Sequence, residues 1–201
     1  MFTSFPLEME MIAIVDLGVG NLANVRKALK GVITSDPYEI EKAEKIVLPG
    51  VGNFGAVMER LHPLKDVILE GIKEGKPFLG ICLGLQLLFE ESEESPGSRG
   101  LEVFKGKVVK LKGVRVPHIG WNQVWIRKDC PLFRGIKSGS YFYFVHSYHV
   151  VPQDEDIIVA TTDYGLDFVS AVCKDNVFAV QFHPEKSSRN GLKLLENFRR
   201  L

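Results

Sequence analysis

Along this chain, short unbroken apolar runs alternate with stretches in which apolar residues return every three or four positions. Met11 to Val15 is such a run, closed by Asp16, and predicts a strand buried on both faces. Asn21 to Leu29 follows with Leu22, Val25 and Leu29 at helical spacing. Ile46 to Leu48, closed by Pro49 and Gly50, predicts a second buried strand. Met58, Leu61, Leu64, Val67, Ile68 and Ile72 predict helix, with a break at Pro63. Phe78 to Ile81 predicts a third strand, and a helix is expected at once over Leu83 to Glu91. Buried strands alternating with helices predict a parallel sheet covered on both faces.

The second half changes character. From Val103 to Val180 the apolar runs are short, and no long helical stretch separates them. Lys112-Gly113, Lys137-Ser138-Gly139 and Lys174-Asp175-Asn176 are turn signals, so this half predicts mainly antiparallel strands. A last helix is expected from about Ser188, with Leu192, Leu195 and Phe198 on one face. The expected architecture is one α/β domain over residues 11–201, a flavodoxin-like doubly wound mixed sheet with helices on both faces. Its N-terminal half is parallel and its C-terminal half more antiparallel. Residues 1–10 are expected to be a flexible extension, with Met9 or Met11 as alternative starts.

Composition narrows the function. The 201 residues carry 25 basic and 25 acidic side chains, and zero net charge argues against a phosphate-backbone or anionic-membrane binder. The apolar run from Phe78 to Phe89 is well short of the about 20 residues a membrane helix needs. Three cysteines, Cys82, Cys130 and Cys173, give neither a disulfide framework nor a zinc pattern. A cytoplasmic protein without metal or cofactor is the expectation.

Three local features carry candidate chemistry. Gly80-Ile81-Cys82-Leu83-Gly84 joins a buried strand to a helix, the pattern of a nucleophile elbow with cysteine as nucleophile. Helix N–H groups would stabilise a thiolate there; a buried core cysteine between two glycines is the plainer alternative. Gln181-Phe182-His183-Pro184-Glu185 follows the run Val177 to Val180. His183 could be the base and Glu185 its orienting group, provided the chain bends at Pro184; otherwise the segment is a turn. The segment from Gly50 to Gly55 matches G-x-G-x-x-G, and Gly18 to Ala23 matches the looser G-x-G-x-x-A, with Asp36 where a ribose-binding acid belongs. Either loop could cradle a dinucleotide, and a glycine loop could instead aim N–H groups at an oxyanion. His62 sits in a helical surface pattern, and His118, His146 and His149 have no comparable acidic neighbour. Glu90 to Glu94 suggests a solvated helix end, and Trp121 and Trp125 suggest core.

Taken together, Gly80 to Gly84, Gln86, His183-Pro184-Glu185 and the loop from Pro49 to Gly55 resemble the triad-type glutamine amidotransferases. The resemblance runs from Met11 to Leu201. Asp16 to Asn21 (DLGVGN), Pro117 to Asn122 (PHIGWN) and Tyr141 to Tyr148 (YFYFVHSY) are similar to the branch that serves histidine biosynthesis. There a glutaminase feeds ammonia to a separate (β/α)8-barrel cyclase subunit in a heterodimer, which forms imidazole glycerol phosphate and AICAR. The resemblance implies Cys82 as nucleophile, His183 as base and Glu185 as its support, acting through a cysteine thioester. It implies backbone N–H groups of Leu83 and of the Val51-Gly52 segment as oxyanion donors. Gly50, Gln86, Glu94, Tyr143, Ser147 and Tyr148 match the glutamine pocket. Asn21, Trp121, Asn122 and Lys186 match positions that face the cyclase. Another triad amidotransferase, an elbow-cysteine hydrolase, or a dinucleotide binder using Gly18 to Ala23 are the alternatives.

Overall fold

The computed structural model describes residues 11–201; the extension expected over residues 1–10 lies outside the described residues. The parallel half runs β1 (Ile12–Val15), α1 (Leu22–Leu29), β2 (Val32–Thr34), α2 (Pro37–Lys42), β3 (Lys45–Gly50), α3 (Phe54–Leu61), α4 (Lys65–Lys73), β4 (Phe78–Cys82) and α5 (Leu83–Gln86). The second half runs β5 (Glu91–Ser92), β6 (Gly106–Lys110), β7 (His118–Ile126), β8 (Ser140–His146), β9 (Tyr148–Pro152), β10 (Ile158–Asp163), β11 (Asp167–Lys174), β12 (Val177–Val180) and α6 (Ser188–Arg199).

A nine-stranded sheet has the order β2-β1-β3-β4-β12-β11-β10-β7-β8, and β5-β6-β9 form a smaller sheet beside it. The strands from β2 to β4 pair in parallel, as does β12 with β4. Beyond β12 every pairing is antiparallel. The two modes therefore meet at β4 and β12, whose carboxyl ends lie side by side with Val180 level with Ile81. Clefts at the carboxyl ends of such strands are where open α/β sheets place ligands.

The unbroken apolar runs are explained by burial on both faces. In β1, Ala13 and Val15 join one apolar cluster while Ile12 and Ile14 join the other; in β3, Ile46 and Leu48 part from Val47 in the same way. Ile40, Phe54, Leu61 and Ile68 from α2, α3 and α4 cover the first face. Val25, Leu29, Leu194, Leu195 and Phe198 from α1 and α6 cover the second. Pro63 interrupts the long helical pattern as the sequence predicts: a 3-10 turn over His62–Leu64 separates α3 from α4.

Four expectations are corrected. The helix expected to reach Glu91 stops at Gln86. Leu87, Leu88 and Phe89 are apolar on every side and fully buried, and the carbonyls of Leu87, Leu88 and Glu90 accept from Leu101, Phe104 and Gly100 instead of from a helix. Glu90 to Glu94 is consequently no helix end. Glu90 accepts from Gly106 N and Glu93 from Lys110 N, so these carboxylates tie β6 in place. On α6 the buried face is Gly191, Leu194, Leu195 and Phe198, while Leu192 is exposed. Trp121 and Trp125 are exposed rather than core: they lie four residues apart on β7 and share its uncovered face, whereas Val124 points into the core.

Candidate active site

The turn from β4 into α5 places Cys82 at φ +57° and ψ −107°, a backbone conformation that costs a non-glycine residue about 1–3 kcal/mol. Both flanking glycines are sterically required. A Cβ on Gly84 would lie 1.9 Å from the Leu48 carbonyl oxygen, and one on Gly80 would lie 2.6 Å from that of Gly84. The tight approach raises the thiol to the end of the sheet, where it remains 5% exposed. Its Sγ donates to the Val145 carbonyl at 3.8 Å.

His183 stands just past the end of β12, with its N–H held by the Tyr143 carbonyl at 2.9 Å. Pro184 opens a 3-10 turn over Pro184–Lys186, and the bend carries Glu185 back to the imidazole. Nδ1 lies 2.8 Å from Glu185 Oε1, and both side chains are only 3% exposed. Nδ1–H therefore donates to the carboxylate, and the tautomer leaves Nε2 free to accept a proton. Burial works against a charge on His183, but once Cys82 is a thiolate its charge, and then Glu185, outweigh burial and raise the value to about 10, so His183 keeps the proton it takes from the thiol. His183 Nε2 and Glu185 Oε2 are buried without a hydrogen-bond partner among the described residues. The base is oriented and idle, while the thiol proton is spent on Val145.

The thiol opens into a cavity of about 260 Å³. Among the residues named from sequence, Val51, Gly52, Cys82, Leu83, Gln86, Glu94, Ser147 and Tyr148 line it. Glu94 is fixed there by the Phe54 N–H at 2.8 Å, at the start of α3, whose Asn53 cap accepts from Ala56 N. Gly50 packs beneath, with Leu83 Cβ 3.2 Å from where its own Cβ would stand. Tyr143 is turned away from the cavity, its ring 6.1 Å from that of Trp121. Pro117, Val145 and His146 also line the cavity; the sequence did not mark them as pocket residues and set His146 aside for want of an acidic neighbour. The signal was available for Val145 and His146, which immediately precede Ser147 on the same hairpin.

His146 belongs to a buried chain of hydrogen bonds. Its Nδ1 faces the Tyr148 carbonyl at 2.8 Å, which only accepts, so that nitrogen carries the proton. Its Nε2 then accepts from His118 Nδ1 at 3.0 Å, and His118 Nε2 faces the Asn122 amide at 3.4 Å. The His118 ring stacks on Tyr164 at 4.0 Å. Burial pushes His118 down to about 4. Burial likewise pushes His146 down to about 3, so both rings are neutral near pH 7.

Of the positions matched to a partner face, Asn21 leads into α1, Lys186 ends the turn after His183, and α1 packs against that turn. Asn21 and Lys186 are exposed. Trp121 is 51% exposed, and Ile119 and Tyr141 beside it on the β7–β8 hairpin are 60% and 52% exposed. Asn122 is partly buried and donates to the Asp163 carbonyl. No helix among the described residues is long and apolar enough to cross a membrane.

The sequence model of the class-I glutamine amidotransferases matches residues 15–200, a span that includes both the elbow and the His-Pro-Glu turn. The chain belongs to the class-I glutamine amidotransferases. This amidotransferase is 78% identical over 194 residues to imidazole glycerol phosphate synthase subunit HisH of Pyrococcus furiosus, covering 96% of this chain and 100% of that protein. It is 74% identical to the HisH subunit of Thermococcus kodakarensis, covering 95% of this chain and 100% of that protein. The HisH subunit of Methanocaldococcus jannaschii is 58% identical, with 94% of this chain and 98% of that protein covered. Among solved structures, the fold is similar to that of a glutamine amidotransferase with a TM-score of 0.74 at 19% identity, covering 94% of this chain and 98% of that one. The amidotransferase membership sets aside the dinucleotide alternative. Asp36, the acid expected beside a ribose, accepts from Tyr38 N and caps α2.

Proposed function

We propose that Cys82, His183 and Glu185 hydrolyse glutamine, and that the ammonia passes to a cyclase subunit. The observation that carries this reading is the strained Cys82 elbow opening into a cavity beside a buried His183–Glu185 pair. His183 Nε2 takes the thiol proton, and the thiolate attacks the γ-amide carbon of glutamine. Negative charge develops on the amide oxygen, where the Leu83 N–H and one from the Val51-Gly52 segment would meet it. His183 returns the proton to the departing nitrogen, ammonia leaves, and a thioester remains on Cys82. Water activated by His183 then releases glutamate. Gln86, Glu94, Ser147 and Tyr148 line the space that the amino-acid end of glutamine would fill, and Gly50 packs beneath it against Leu83.

The relatives are named as subunits of imidazole glycerol phosphate synthase. On that basis the partner is the (β/α)8-barrel cyclase of histidine biosynthesis, which forms imidazole glycerol phosphate and AICAR, in a cytoplasmic heterodimer. Its docking face is Asn21, Trp121, Asn122 and Lys186, where exposed Trp121 supplies the kind of aromatic anchor that dominates interfaces. The thiol proton on Val145 supports a resting free chain. Docking would re-aim the thiol toward His183 and the Val51-Gly52 segment toward the oxyanion.

Labelling with an electrophilic glutamine analogue tests the site. Modification confined to Cys82, with Cys130 and Cys173 untouched, is expected. Equal labelling of all three cysteines would contradict it.

A further inference from the structure

Past the end of β12 at Val180, the chain bends at Gln181 and Phe182. Phe182 turns into the aromatic core, its ring centroid 4.2 Å from that of Phe142. Gln181 and His183 both face the Cys82 sulfur. The backbone is pinned at both places: Gln181 N–H donates to the Ser170 carbonyl at 2.9 Å and His183 N–H to that of Tyr143 at 2.9 Å. Since Val180 is level with Ile81 in the neighbouring strand, Gln181 arrives level with Cys82.

Gln181 is completely buried, and its amide orientation is dictated by its neighbours. Gln86 Nε2 donates to the Tyr148 carbonyl at 3.0 Å, which only accepts, and to Gln181 Oε1 at 3.1 Å. With its oxygen committed to Gln86, Gln181 presents its amide nitrogen to the sulfur, and Nε2 lies 3.7 Å from Cys82 Sγ. Two contacts on the same sulfur thus favour opposite protonation states. The Val145 carbonyl accepts from a thiol and repels a thiolate, whereas the Gln181 N–H strengthens its bond once the sulfur is charged.

We propose that Gln181 is a further catalytic residue, an amide donor that holds Cys82 Sγ as the attacking thiolate while its proton rests on His183. Gln86 acts through it as a positioning residue. The inference rests on the reading of Cys82 as the nucleophile. It gives the glutamine of the Gln-Phe-His-Pro-Glu segment a chemical task beside that of the histidine.

The test compares the full-length protein with Gln181→Met, which keeps side-chain length and loses the amide, and Gln181→Glu, which replaces the donor by an acceptor. Iodoacetamide alkylation of Cys82 is followed across pH in the free chain, and glutamine hydrolysis is followed with the proposed cyclase subunit present. In Gln181→Met the pH of half-maximal alkylation is expected to rise by about one unit, a tenfold change in the ionisation equilibrium. The kcat is expected to fall about tenfold with the glutamine KM within about twofold, and Gln181→Glu is expected to lose more on both readouts. An unchanged alkylation profile and kcat in a folded Gln181→Met variant would overturn the proposal. Should that variant fail to fold, the Gln86→Leu/Gln181→Leu pair leaves no orphaned amide and answers through the alkylation readout alone. Cys82→Ala runs in parallel. Hydrolysis that survives it defeats the nucleophile reading itself, while its loss beside an unaffected Gln181→Met variant defeats only the role of Gln181.

Discussion

The most demanding contact in the site is the 2.8 Å bond between His183 Nδ1 and Glu185 Oε1, because it fixes the tautomer of a buried base. A carboxylate accepts only, so it holds the proton on Nδ1 and the lone pair on Nε2. Glu185→Gln can present an amide N–H to the same nitrogen and stabilise the wrong tautomer. The expected result is a loss of about 10²–10⁴-fold in kcat for glutamine hydrolysis, with an unchanged melting temperature. A loss under tenfold would show that the ring needs no such support. His183 and Glu185 were legible because they sit two residues apart around a proline. Gln181 was visible in the same segment, but nothing local shows that it faces Cys82, since that contact is made by register between β12 and β4. Leu192 was misassigned for a related reason. Its spacing to Leu195 and Phe198 is helical, yet Gly191, Leu194, Leu195 and Phe198 follow the i, i+3, i+4, i+7 stripe more closely and take the buried face.

At the level of elements, the β7–β8 hairpin does the most that a linear reading misses. Its register sets His118 directly opposite His146 and buries both against Phe144 and Phe168. Neither histidine has an acidic neighbour in sequence, and their connection to the cavity exists only after the strands pair. Keeping them neutral has a thermodynamic consequence. Unfolded histidine titrates near 6.5, whereas burial holds His118 at about 4 and His146 at about 3. The unfolded chain therefore binds more protons below pH 6.5, and stability falls as the pH drops through that window. Each ring contributes about 1.4 kcal/mol per pH unit, ending near about 4 for His118 and about 3 for His146. Denaturant unfolding between pH 6.5 and 5 should show a shallower acid loss in His118→Phe than in the parent, by about that slope. Parallel curves would contradict it.

Across the whole molecule, the sheet and its two faces were legible because an all-apolar strand has only one environment that satisfies it. The short α5 was not. A stretch that is apolar on all sides carries no helical or strand period, and tertiary contacts from residues 100–104 decide its backbone. The exposure of Trp121, Trp125, Ile119 and Tyr141 was also hidden, since large apolar residues ordinarily predict core. Exposed together on one hairpin, they make the uncovered face that the proposed cyclase would occupy. Trp121→Ala should weaken that complex by about 2 kcal/mol or more, read by isothermal titration, without moving the melting temperature of the free chain. An unchanged affinity would place the partner elsewhere.

The central claim, a cysteine glutaminase held at rest until its partner docks, is tested most directly by ammonia release from glutamine. The purified chain would be assayed alone, then with the proposed cyclase subunit and that subunit's own ligand, and again as Cys82→Ala. The account predicts little release from the free chain, a large rise on adding partner and ligand, and none from Cys82→Ala under any condition. Full activity in the free chain would contradict the resting thiol, and activity that survives Cys82→Ala would contradict the catalytic site itself.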